Sequence, residues 1–289
     1  MYISDIYKKD KRSLSFEVFP PYGETEWKKM DDTLAGLCEL NPDFISIVFI
    51  PGGSSKGNRT IELAKKIKDE YHVEPVVHLP SLFYDRGEID AFAKTLTEAG
   101  IQNVLALRGD RNPEIPEKDD FQHASDLISY LKPKSEFCFM GACYPECHPE
   151  SEDRVSEMLN LRKKVDAGAE VLLSQFFFEN EPFFRFQEDC KIAGMQAPVI
   201  PGILPVVDAA QSRKMVSMCG AAFSQRFERM ISKYEYNKEA MFDAGVSYAI
   251  SQCIDLLTSD IRGIHIYTMN NAVVTRKICE GIGTVLCPA

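Results

Sequence analysis

Positive charge is scarce in this 289-residue chain: 33 Lys and Arg stand against 43 Asp and Glu, a formal net charge of −10. Nucleic-acid binding needs a basic patch or stripe, so that class is excluded. Small anionic ligands are not, because a few local cations suffice for them. Long apolar runs are also missing, and none approaches the length of a membrane span. The opening MYISDIYKKDKRSLSFEVFPP puts its charges ahead of a short strand-like stretch. It has neither the apolar segment nor the cleavage site of a signal peptide, so a cytoplasmic protein without membrane association is expected. Nine cysteines are scattered singly, at 38, 138, 143, 147, 190, 219, 253, 279 and 287. They read as free thiols of a reducing compartment. Cys143, Cys147 and His148 invite a metal, but no second pair completes a four-ligand framework, so packing is the expected role.

What is present alternates. With 45% apolar residues the chain can bury a sizeable core. Short β-rich runs occur at LSFEVF (14–19), FISIVFI (44–50), PVVHL (75–79), NVLALRG (103–109), EFCFMGACY (136–144), EVLLSQFFF (170–178), PVIPGIL (198–204) and GIHIYTM (263–269). Between them lie stretches of helical spacing, among them 60–71, 88–100 and 151–169. The last carries an apolar stripe of Val155, Met158, Leu159, Leu161 and Val165. Gly100, Gly168 and Gly194 stand where helices stop before the next strand. Eight strands apolar on both faces and alternating with helices predict a parallel sheet. Their number and the chain length predict an α/β fold, a closed (β/α)8 TIM barrel, as one catalytic domain over 1–289. An open doubly wound sheet is the alternative, but its glycine-rich first turn is absent. The interval 205–262 is too long for one helix, so an extra helix is expected around 236–257.

In such a barrel chemistry belongs at the C-terminal ends of the strands. Glu17 ends the first in FEVFPP, His78 the third, and Arg108-Gly109-Asp110 the fourth. Tyr144 and His148 end the fifth in ACYPECHPE, Gln175 interrupts the sixth, and His265 and Tyr267 lie in the eighth. Singly, each has a bland explanation as an ion-paired strand residue, a bonded core histidine or a turn. Six of eight strands delivering such groups to one rim indicates a ligand, since buried charge is costly unless something pairs with it. No glycine-rich phosphate loop, HExxH or nucleophile elbow is present. A lone acid, Glu17, suits proton donation better than glycoside hydrolysis. The remaining chemistry is of the kind a bound organic cofactor performs.

FEVFPP (16–21), ALRGD (106–110), YPECHPE (144–150), NLRKKVDAGA (160–169), QFFF (175–178), PGILPV (201–206) and HIYTMN (265–270) closely resemble the methylenetetrahydrofolate reductase family. They occur in the family's order across nearly the whole chain. The resemblance implies a bacterial-type oxidoreductase of one-carbon metabolism and methionine biosynthesis. It implies a barrel holding FAD and the reduction of 5,10-methylenetetrahydrofolate to 5-methyltetrahydrofolate by ping-pong hydride transfer. By the same resemblance Glu17 is the general acid that helps open the folate's five-membered ring. Asp110 is the catalytic aspartate between flavin and folate, and Gln175 binds the pterin. His78, Arg108, Gly109, Asp110, Tyr144, His148, Glu157, Asn160 and Lys164 match positions that hold the cofactor. Tyr267 and Met215 match the substrate site.

Three positions depart from well-studied members. Met215 replaces an aromatic that stacks on nicotinamide or pterin, and Asn271 replaces an arginine associated with the folate's glutamate tail. SIVFIPGG replaces a more polar end to the second strand. The expected reductant is therefore either NAD(P)H or a partner electron-transfer protein, and the expected assembly a homo-oligomer. Two other classes stay open: a folate-dependent methyltransferase or demethylase on a related barrel, and a flavin-binding subunit of a larger electron-transfer complex. Glu17 and Asp110 weigh against both.

Overall fold

The computed structural model describes residues 1–9, 11–49, 54–219 and 223–286. Its strands are β1 (Ser13–Val18), β2 (Phe44–Ile47), β3 (Glu74–Pro80), β4 (Asn103–Leu107), β5 (Cys138–Cys143), β6 (Ala169–Ser174), β7 (Val199–Ile200), β8 (Gly202–Ile203) and β9 (Gly263–Tyr267). All pairings are parallel, in the order β7-β6-β5-β4-β3-β2-β1-β9-β8. β7 and β8 are halves of one barrel strand, parted at Pro201, which has no N–H for the ladder. Its carbonyl still accepts from the His265 N–H at 3.0 Å. One half pairs with β6 and the other with β9, so nine segments fill the eight expected barrel positions.

The helices are α1 (Glu24–Cys38), α2 (Ser54–Asp69), α3 (Arg86–Glu98), α4 (Ala124–Leu131), α5 (Arg154–Asp166), α6 (Asn180–Ile192), α7 (Ala209–Cys219), α8 (Gln225–Tyr234), α9 (Lys238–Leu257) and α10 (Ala272–Leu286). Asp85 caps α3 in a reciprocal box with Glu88, and Asp153 caps α5 through the Ser156 N–H. Gly100, Gly168 and Gly194 have φ of 69°, 120° and 71°, the left-handed turn that ends a helix. Among the described residues no helix is long and apolar enough to cross a membrane.

Strand residues alternate between two cores. Leu14, Phe16, Ile45, Val77, Val104 and Phe139 face the helices. Phe44, Val76, Leu105, Met140, Val171 and Ile200 fill the barrel, where Ile3 and Ile6 of a 3₁₀ helix (Ile3–Lys8) join them.

Two expectations need correction. The long interval before β9 holds three helices, one more than the barrel's own helix and the extra one expected around 236–257. The helix α9 is where expected, and α7 and α8 precede it. A third apolar cluster carries this excursion: Phe227 stacks on Phe178 at 4.3 Å, and Tyr248 meets Phe227 edge-on at 4.9 Å. Nor is the α5 stripe a buried face. Leu161 is buried and Met158 and Val165 are half-buried, but Val155 and Leu159 are 67% and 59% exposed while Glu157 is buried. The helix is turned so that polar residues face the barrel mouth.

Candidate active site

A cavity of about 1010 Å³ opens among the C-terminal ends of the strands. Glu17 enters it from β1 and His78 from β3; they are only 8% and 6% exposed. Burial raises the Glu17 carboxyl to about 8, with the Ser46 hydroxyl pulling slightly the other way. Burial also holds the His78 imidazole down to about 3. Glu17 Oε2 and His78 Nε2 lie 3.5 Å apart, the spacing of an ion pair. Near neutral pH, however, both groups are uncharged: a protonated carboxylic acid beside a neutral imidazole. His78 Nε2 has no hydrogen-bond partner despite its burial.

Beneath this pair, His265 is fully buried. Its Nδ1 lies 2.8 Å from Ser15 Oγ and its Nε2 lies 3.4 Å from Ser46 Oγ. It stacks on Phe44 at 5.9 Å, so it is a satisfied core histidine. Tyr267 reaches over Gly202 of the neighbouring β8, donates to the Ser174 carbonyl at 2.6 Å and meets Phe176 edge-on.

The opposite wall is built from loops. Just beyond β4, Gly109 has φ 93°, and a Cβ there would lie 3.1 Å from Pro80 Cβ, so only glycine turns the chain there without strain. Arg108 donates to both carboxylate oxygens of Glu150, at 2.6 and 2.9 Å, and through Nε to the Gly109 carbonyl. Asp110 is exposed at the rim. Beyond β5, Tyr144 and His148 meet edge-on at 4.6 Å. His148 Nδ1 accepts from the Glu150 N–H at 3.1 Å, so the neutral ring carries its proton on Nε2. Partial burial and then the Arg108 charge lower its pKa. On α5, Glu157 accepts from the Ser151 hydroxyl and from the His148 N–H. Lys164 lays its stem over Gly141 and donates to the Ala142 carbonyl; burial lowers its pKa. Asn160, one turn away, accepts from Lys163 at 3.3 Å.

Glu17, His78, Arg108, Gly109, Asp110, Tyr144, His148, Glu157, Asn160, Lys164, Gln175, Met215 and Tyr267 all line this one cavity. Asn271 does not. Its side chain accepts from the Val274 N–H at 3.1 Å and caps α10. The Ile50–Gly53 part of SIVFIPGG lies outside the described residues. Cys143 is buried in the outer core, which pushes its thiol well up. Among the described residues no three His, Cys, Asp or Glu side chains gather as a metal site.

The sequence reading missed Phe19, His123, Ser125, Glu150, Lys163 and Phe176 as lining residues. Glu150 and Phe176 stood inside the quoted blocks YPECHPE and QFFF, and Lys163 beside Lys164. His123 offered only its place before a short helix.

Fold and site together define a (β/α)8-barrel enzyme that buries a protonated acid in a large cavity lined by charges of both signs. A model of the family described as methylenetetrahydrofolate reductase matches residues 2–283. The chain is 32% identical over 271 residues to the 5,10-methylenetetrahydrofolate reductase of Escherichia coli K12, covering 94% of this chain and 90% of that one. It is 33% identical to the enzyme of that name from Buchnera aphidicola of Schizaphis graminum, over 98% of both chains. A solved Clostridium thermocellum protein, described as binding two copies of 5-methyl-5,6,7,8-tetrahydrofolic acid, shares the fold. Its TM-score is 0.67 at 12% identity, over 99% of both chains. The chain belongs to the methylenetetrahydrofolate reductase family and is an oxidoreductase.

Proposed function

We propose that the protein reduces 5,10-methylenetetrahydrofolate to 5-methyltetrahydrofolate with FAD as its resident cofactor, in a ping-pong cycle. The carrying observation is Glu17, a carboxyl held protonated near neutral pH by burial at the floor of the cavity. Opening the folate's five-membered ring requires a proton on the departing N10 nitrogen, and a positioned acid of this pKa supplies it. Asp110 places negative charge at the rim, where it favours the cationic iminium of the opened substrate. Gln175, Tyr267 and Met215 line the same space and bind the pterin by hydrogen bonding and packing.

The residues present suit FAD. The orphaned, buried His78 Nε2 awaits a polar partner from a ligand. Gly109 leaves its backbone open to close approach. Arg108 and Lys164 supply cations for a diphosphate, with Tyr144, His148, Glu157 and Asn160 completing the wall. Bound there, FAD would supply the two-electron store that no side chain of this site offers.

The protein is reconstituted with FAD, reduced anaerobically with dithionite and mixed with 5,10-methylenetetrahydrofolate. Flavin reoxidation with formation of 5-methyltetrahydrofolate is expected; a protein that cannot be reconstituted with FAD sinks the reading. Stopped-flow mixing of the oxidised form with NADH and with NADPH then separates a nicotinamide donor from a partner electron-transfer protein.

A further inference from the structure

The last strand ends in an unusual turn. Met269 and Asn270 are consecutive non-glycine residues with φ of 50° and 57°. Such conformations are costly for side-chain-bearing residues and persist where the surroundings over-determine them. Here the turn aims one side chain at the end of β1. Asn270 Oδ1 accepts from the Phe19 N–H at 2.9 Å, and Asn270 Nδ2 donates to the Phe19 carbonyl at 3.0 Å. The amide thereby treats Phe19 as a neighbouring strand would, beyond the point where the sheet has stopped. Two residues earlier, the Thr268 hydroxyl donates to the Glu17 carbonyl at 2.6 Å and accepts from the Asn270 N–H at 3.1 Å. Glu17 and Phe19 both line the cavity, and Pro20 and Pro21 follow directly.

We infer that Asn270 is a positioning residue: its amide splints the end of β1 and so fixes where the Glu17 carboxyl and the Phe19 ring stand in the cavity. This rests on the role proposed for Glu17. Asn270 itself is absent from the cavity lining, so it acts through the two residues it holds. An acid displaced by a fraction of its reach loses its alignment with the proton acceptor, and misplacement on the ångström scale costs up to about 100-fold in rate.

Asn270→Gly is the informative substitution, because glycine accepts the left-handed backbone at no steric cost while deleting the amide. In hydrogen exchange of the unloaded protein, the Phe19 amide is expected to lose protection while the rest of β1 keeps it. In the loaded protein, FAD affinity should be unchanged. Reoxidation of dithionite-reduced flavin at saturating 5,10-methylenetetrahydrofolate should slow by about 10- to 100-fold. Unchanged exchange at Phe19, or an unchanged reoxidation rate, overturns the inference. So does a parallel loss of FAD binding and melting temperature, which marks a merely structural residue. If the unsubstituted protein is not reoxidised by the folate, the functional reading falls instead, and the exchange experiment still decides whether the splint exists.

Discussion

On the side of β9, β1, β2 and β3, the strands themselves carry polar groups into the barrel: Ser15, Glu17, Ser46, His78, His265 and Tyr267. On the side of β4, β5 and β6, the interior is Leu105, Cys138, Met140, Val171 and Leu173, with buried Asn103 at the start of β4 the polar exception, its side chain accepting from the Ile3 N–H at 2.8 Å. There the polar groups come later, from residues past the strand ends (Arg108, Asp110, Tyr144, His148, Gln175) and from α5. The difference separates two tasks. A group held by a strand is rigid and dry, which keeps a carboxyl protonated and aimed. Groups on loops and a helix surface are paired with one another, as Arg108 is with Glu150, and under the proposed function they are the ones that would meet the long anionic cofactor. The apolar half is the packing support for both.

The largest effect belongs to the polar half. Glu17→Gln keeps the shape and removes the proton, so the folate half-reaction should slow by about 10²- to 10⁴-fold. Flavin content and flavin reduction should stay as they are; an equal loss in both half-reactions would remove the assignment. Glu17 also couples stability to pH. The folded protein holds this proton to about 8, whereas the ordinary carboxyl releases it near 4.5. Between those values only the folded state binds the proton, so the Glu17 contribution falls as pH rises, by at most about 1.4 kcal/mol per unit. It governs the net slope above 6.5, where the two buried histidines are neutral in both states. Below 6.5 the unfolded chain protonates His78 and His265, which the folded state holds neutral to about 3, so stability falls again toward acid. Denaturant titrations across pH should show both slopes, and Glu17→Gln should flatten only the alkaline one.

In the apolar half, Met140→Ala opens a cavity inside the barrel and should cost about 2–5 kcal/mol of stability while leaving FAD affinity intact. Ser15→Ala leaves His265 Nδ1 without its closest partner and should cost about 1–3 kcal/mol by the same titration. If the two losses were reversed in order, the division between packing half and chemical half would be wrong.

The barrel was legible because each strand is an apolar run closed by glycine, proline or a helix start, a pattern that needs no tertiary knowledge. The strand-borne site residues were legible for a related reason: Glu17 and His78 break those runs where nothing local explains them. What the pattern hid is three-dimensional. The apolar periodicity of α5 marked Val155 and Leu159 as core, but the helix turns Glu157, Asn160 and Lys164 to the cavity. Glu150 gave no sign of pairing with Arg108, 42 residues away. The Asn270 amide reads locally as a turn residue, and its partner Phe19 lies 251 positions earlier. Of the three helices before β9, one more than expected, α8 buries its Phe227 against Phe178 and Tyr248, a contact that nothing local announces.

The smallest effect tests the loop-and-helix half. Gly141 sits on β5 where the Lys164 stem crosses it, and a Cβ there would lie 2.6 Å from Lys164 Cδ and 3.3 Å from Cγ. Gly141→Ala forces the lysine aside without touching the barrel interior, and a flexible side chain absorbs the displacement at little cost to the fold. The ammonium then leaves the Ala142 carbonyl and its place in the cavity wall. FAD affinity should fall by about tenfold, roughly 1.4 kcal/mol, with the melting temperature nearly unchanged. Fluorescence titration of the unloaded protein with FAD measures it. Parental affinity would mean that Lys164 is a packing residue and that the cofactor draws its cation elsewhere, from Arg108 or Lys163. A collapse of stability would mean that the helix–strand contact, not the ligand, is what Gly141 serves.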